Sequence, residues 1–181
     1  MPDNMAMYAI SKEVNRKLTL GERALANSIF SFGLNLDKVI IHNRPYQPFQ
    51  SRGVAMTPNG EMWFKAMDFK HDFSTNVLDA AWFLHEMTHV WQFQTGRLVR
   101  MRGLLEQIGR LRGSDPYPYG AIDPKRNFSS YKNEQQAALV EDYYRIRHRL
   151  KPRYGSGSIE DYERAIPFLP KRIMAQRPVL A

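Results

Sequence analysis

Between Val77 and Phe93 apolar residues occupy almost every side of a helical wheel, yet His85, Glu86 and His89 sit in the middle of that stretch. A helix that is apolar all round is a buried helix. Ionisable side chains inside it need partners, because an unpaired buried charge is costly. Whatever the chain folds into must therefore bring something to this helix that satisfies two imidazoles and a carboxylate. Its ends are readable too: Asn76 can cap it, Asp79 puts negative charge in the first turn, and Thr95-Gly96 ends it.

The three residues lie in His85-Glu86-Met87-Thr88-His89. Positions four apart on a helix stand about 40° apart around the axis and one turn apart along it. Both imidazoles can thus converge on one ion. Glu86, one step round from His85, can reach a water held by that ion without binding the ion itself. This H-E-x-x-H spacing predicts two zinc ligands and a general base. The chain contains no cysteine, which removes disulfides, thiol catalysis and thiolate-rich structural zinc sites. His85 and His89 are expected to bind Zn2+ together with an acidic third ligand, leaving a fourth position for water. Two carboxylates compete for the third place, Glu134 and Glu141. They are seven apart and share a face of one helix, expected from Ser129-Ser130 to about Leu150. Tyr131, His71 or an arginine are candidates to stabilise an oxyanion.

At 181 residues the chain suits one domain over 1–181, with a lead-in at 1–17 and a Pro-broken tail at 167–181. Thr19 and Glu22 have the spacing of a capping box before a helix over about 20–31. Lys38 to His42 reads as a strand, and Asn59-Gly60 as a turn between two antiparallel strands within Gly53–Lys65. Glu61 to Lys65 is the expected sheet edge for an extended substrate. Segment 97–112 reads as a basic amphipathic helix, 113–124 as a loop, 151–158 as a linker and 159–165 as a short helix. Trp63, Trp82 and Trp91 are expected in the core. No run approaches the roughly 20 apolar residues of a membrane span. The start lacks a signal-peptide pattern, so the expectation is a chain cytoplasmic as synthesised, exported, if at all, by other machinery. The net charge of +8 favours acidic partners. No nucleic-acid-binding motif is present, so nucleic acid is not the expected partner.

Four stretches resemble the small zinc metallopeptidases associated with Rhs elements and VgrG spike proteins of bacterial type VI secretion. They are Leu18 to Ala26, Met56 to Phe64, Phe83 to Gly96 and Asn133 to Ala137. The resemblance implies an α+β, zincin-like fold, with a small antiparallel or mixed sheet on the H-E-x-x-H helix and further helices C-terminal to it. It implies zinc held by His85, His89 and Glu134, with Glu86 catalytic, and hydrolysis of a peptide or protein substrate. It also implies a role as a secretion-associated effector, with a VgrG or Rhs partner or an immunity protein. Ala138 stands where many gluzincins carry a supporting Asp, which leaves Glu141 and Asp142 as candidates to support the histidines. The rival readings are a zincin scaffold that binds without turnover and a basic surface for acidic partners.

Overall fold

A computed structural model describes residues 15–31, 33–96 and 115–170. The basic segment 97–112, nearly all of the lead-in and the tail from 171 onward lie outside the described residues.

The first helix, α1 (Leu20–Phe30), starts on the expected capping box. Thr19 Oγ accepts from Glu22 N–H, and the Glu22 carboxylate accepts from Thr19 N–H at 2.9 Å. Glu22 does more than cap. Fully buried, it takes a two-pronged bond from the Arg16 guanidinium, at 2.7 Å on each oxygen, and another from Phe73 N–H. One carboxylate therefore ties α1 to the chain before it and to the turn Phe73–Thr75, which leads into the central helix.

The sheet is small and mixed. Strand β1 (Asn15–Arg16) runs antiparallel to β2 (Ile41–His42), and β2 runs parallel to β3 (Met62–Trp63). The expected strand over 38–42 is shorter, because Leu36–Lys38 folds into a 3-10 turn. The expected hairpin within 53–65 also shrinks. Asn59 and Gly60 do adopt left-handed φ values of 57° and 77°. Pro58 before them fixes a 3-10 turn, and the arms close only one antiparallel bridge, Met56 with Trp63. That bridge uses both backbone groups of Trp63. The edge expected to be open at Glu61–Lys65 is thus occupied at its centre.

The central helix, α2 (Val77–Gln94), begins where Asn76 Oδ1 accepts from Leu78 and Asp79 N–H. Its residues Ala80, Ala81, Phe83, Leu84, Met87 and Val90 are fully buried. Its main partner is α3 (Asn133–Arg147), which is shorter than the helix expected from 129 to 150. Phe128–Ser130 forms a 3-10 turn instead, and Arg149, at φ 62°, breaks the other end. Ala137 and Ala138 are fully buried, and their small side chains let α3 lie close against α2. Two expected loops hold a pair of short parallel strands, β4 (Gly120–Ala121) and β5 (Gly155–Ser156). The last described helix, α4 (Ile159–Ala165), starts on Ser158. Trp82 packs edge-on against Phe64 and Phe73, and Trp91 edge-on against Phe128 and tilted against Phe168. Trp63 stacks flat on His42, 3.7 Å between centroids.

Candidate metal centre

Helix α2 holds His85, Glu86 and His89 almost wholly inside the protein. Opposite them, the first turn of α3 presents Glu134. Its Oε2 lies 3.2 Å from His85 Nε2 and 3.3 Å from His89 Nε2. One donor atom from each of the three residues lies within 4.8 Å of the other two. Two imidazole nitrogens and one carboxylate oxygen, mutually close and mostly buried, form a three-ligand set with an open side. Of the two competing carboxylates, Glu134 is the one that meets both histidines.

Glu141, two turns further along α3, takes a different place. Its Oε2 lies 3.2 Å from Nδ1 of His85, on the far side of the ring from Glu134. His89 is backed by a neutral group: its Nδ1 pairs with Gln92 Oε1 at 2.9 Å. The Gln92 amide in turn donates to the Asn133 carbonyl and to Gln136 Oε1, both at 3.0 Å. Gln136 donates to the carbonyls of Phe128 and Tyr131. Gln92 carries a readable signal, since it is a polar residue one turn after His89 inside an apolar run. Asp142 supports no histidine. Buried at the back of the site, it accepts from the Tyr119 hydroxyl and from the backbone N–H of Arg153 and Tyr154. Burial pushes its carboxyl above the usual range although these bonds oppose the shift.

The charges around the histidines are strongly unbalanced. Burial alone would lower the pKa of His85, but Glu134, Glu141 and Glu86 outweigh it and raise the ring to about 10. His89 is raised by Glu134 and Glu86, again against burial. Glu134 feels the converse: burial pushes it up, yet the two imidazoles hold it well below the ordinary carboxylate range. Three carboxylates around two imidazoles form a buried site that favours a cation. His85 Nδ1 is also buried without a well-aligned hydrogen bond. These observations fit a divalent metal on the Nε2 side.

Glu86 has its own partner. Thr57 Oγ donates to Glu86 Oε2 at 2.6 Å, entirely inside the protein. Thr57 stands beside Met56, so the bridge that closes on Trp63 also delivers this hydroxyl. Its role depends on packing between a turn and a helix 29 residues apart in the chain, and no local pattern announces it.

Of the groups expected to face an oxyanion, Tyr131 has a buried hydroxyl without a hydrogen-bond partner and a ring beneath the Arg126 guanidinium. His71 packs edge-on against Phe69. The tyrosines in ring contact with His85 are Tyr117 and Tyr154, with centroids 5.5 and 6.4 Å away. Burial, with Glu141 adding to it, pushes the Tyr154 hydroxyl up, so it stays protonated. Both rings line a cleft of about 440 Å³ with Asp115, Pro116, Pro118 and Arg153.

No protein-family model matches the chain. The type VI secretion system spike protein VgrG2b of Pseudomonas aeruginosa is 34% identical over 134 residues, which are 73% of this chain and 13% of that protein. The chain thus spans about an eighth of its curated relative. The solved structure of the effector domain of Pseudomonas aeruginosa VgrG2b is similar with a TM-score of 0.68 and 31% identity, over 75% of this chain and 76% of that one.

Proposed function

Because the chain belongs to the family of the VgrG2b effector domain, we propose that it is a zinc-dependent peptide-bond hydrolase on a zincin-like fold, serving as a type VI secretion effector associated with a VgrG spike. The observation that carries the hydrolase reading is the pairing of a three-ligand set with a separate, buried carboxylate. His85, His89 and Glu134 would hold the metal. Glu86 is on the same helix but keeps its own hydrogen bond to Thr57. A purely structural metal site has no use for such a base.

A zinc ion held there would supply a Lewis acid and lower the pKa of a water towards about 7. Glu86 accepts the proton of the attacking water and passes it to the leaving nitrogen. Thr57 occupies Glu86 Oε2, which leaves Oε1 for that transfer. Tyr154, protonated and with its ring 6.4 Å from that of His85, would serve as the donor to the developing oxyanion. Glu141 and Gln92 fix the two imidazoles from behind.

The test is metal analysis together with a cleavage screen on peptides from a proteome digest. Purified protein should carry close to one zinc per chain, and His85→Ala or His89→Ala should lose it. Glu86→Gln should keep the zinc and lose hydrolysis by ~10² or more. Wild-type protein that refuses zinc at neutral pH while folded would sink the reading, as would equal turnover by the Gln variant.

A further inference from the structure

The cleft beside His85 is a built feature. The buried Asp142 carboxylate accepts the consecutive backbone N–H groups of Arg153 and Tyr154, at 2.5 and 2.9 Å. The Tyr119 hydroxyl donates to the same carboxylate, and Tyr119 N–H donates to the Tyr154 carbonyl. The β4–β5 pair extends this tie. The backbone under Arg153 and Tyr154 is therefore fixed to α3, the helix that carries Glu134.

Among the described residues that line this cleft, Arg153 is the one cation. Its side chain is 62% exposed. The carboxylate paired with it is Glu141, at 3.9 Å, the outer limit of an ion pair, and the other oxygen of Glu141 faces His85. A charge-assisted bond to a well-placed carboxylate closes to about 2.7–2.9 Å and is often two-pronged, so Arg153, whose guanidinium also lies 5.0 Å from the centre of the Tyr154 ring, has hydrogen-bonding capacity left. The acid in the cleft, Asp115, has a local role: its Oδ1 accepts from Tyr117 N–H. Further cations precede Arg153 in the chain. Arg147, Arg149 and Lys151 are exposed and alternate along the chain up to exposed Arg153, while the acids of α3's second half, Glu141 and Asp142, are buried.

We propose that this cleft is a substrate subsite for a carboxylate-bearing residue, with Arg153 reading the carboxylate and the rings of Tyr117 and Tyr154 packing on the carbons that bear it. The substrate class is an acidic peptide. The proposal rests on the hydrolase reading only in treating the cleft as the substrate side of the metal centre. The surface cations draw such a peptide in, and Arg153 sets which residue lies next to His85.

The test uses zinc-loaded Glu86→Gln protein and three fluorescent hexapeptides that differ only in two central residues: Glu, Gln or Lys. Anisotropy titration should show the Glu peptide binding about tenfold or more tighter than the Gln peptide, with the Lys peptide weakest. Adding Arg153→Gln should bring the three within about twofold, and Arg153→Lys should restore part of the preference. Zinc content is measured in every variant. Equal binding of the three peptides, no binding of any at 1 mM, or a Glu preference that survives Arg153→Gln overturns the proposal. So does an Arg153→Gln variant whose whole defect is lost zinc, since Arg153 would then act only on Glu141. The hydrolase reading fails on a different result: wild-type zinc protein that cleaves none of the peptides. Arg153-dependent binding of the Glu peptide would stand even then.

Discussion

Thr57 and Glu86 make a short contact, 2.6 Å, and each side of it is buried. A hydrogen bond to a charged group is worth about 1.5–3 kcal/mol. Thr57→Val removes it at nearly constant volume. We expect turnover to fall about tenfold with zinc content unchanged, and Thr57→Ser to restore most of it. A Val variant with wild-type turnover would show that Glu86 does not need the hydroxyl. The two glutamates of α3 separate in another way. Glu134→Ala should abolish tight zinc binding, because it removes a donor shared by both histidines. Glu141→Ala touches only the rear of His85 and should weaken zinc about 10–100-fold. Competition titration with a chromophoric chelator measures both, and the reverse order would make Glu141 the ligand. His85, Glu86 and His89 were legible in the sequence because type and spacing fall within one helical turn. Choosing between Glu134 and Glu141 required the rotation of α3 against α2, which is set by packing across a gap of about forty residues.

At the scale of elements, the turn Pro58–Gly60 is locked onto α2. A Cβ on Gly60 would stand 2.7 Å from the Phe93 ring, at a φ of 77° that side chains avoid. Gly60→Ala should cost about 1–3 kcal/mol in denaturant unfolding, from the backbone penalty and the ring displacement together. Because the same turn carries Thr57, the variant should lose activity beyond its loss of stability. Glu22 is the other joint. Glu22→Ala strands the Arg16 guanidinium and two backbone N–H groups, and should cost about 3–5 kcal/mol. A drop under 1 kcal/mol would mean that water replaces the carboxylate. The helices and their caps were legible: Thr19, Asn76 and Glu22 stand where local chemistry puts them. The sheet was less so. Its strands are two residues long, and their pairing depends on partners brought from β1 and β3 rather than on alternation within each segment.

At the scale of the whole molecule, a metal held by His85, His89 and Glu134 should couple proton content to metal content. In the metal-free protein His85 has its pKa raised from 6.5 to about 10. Its contribution to stability is therefore fully present below about pH 6.5 and is lost as pH rises through 10. Metal binding runs the other way, since the ligand must give up its proton. At pH 7.5 zinc should displace at least about one proton per chain, readable by calorimetry in buffers of different ionisation enthalpy. The rise in Tm on adding zinc should grow between about pH 6.5 and 8.5. A rise independent of pH would show that the histidines are already neutral before metal arrives. The overall charge of +8 was legible as a preference for acidic partners. The exposure of Arg147, Arg149, Lys151 and Arg153 beside buried Glu141 and Asp142 was not, because burial is set by how α3 packs.

The side-chain amides behind His89 have a direction. Backbone carbonyls only accept, so those of Phe128 and Tyr131 oblige Gln136 to turn its NH2 towards them and its oxygen towards Gln92. Gln92 must then present NH2 to Gln136 and Asn133, and oxygen to the imidazole. The proton of His89 is thereby placed on Nδ1, and the lone pair is left on Nε2. Which tautomer the ring adopts is decided by three backbone carbonyls just before and at the start of α3, by parity, like a row of arrows that can point only one way.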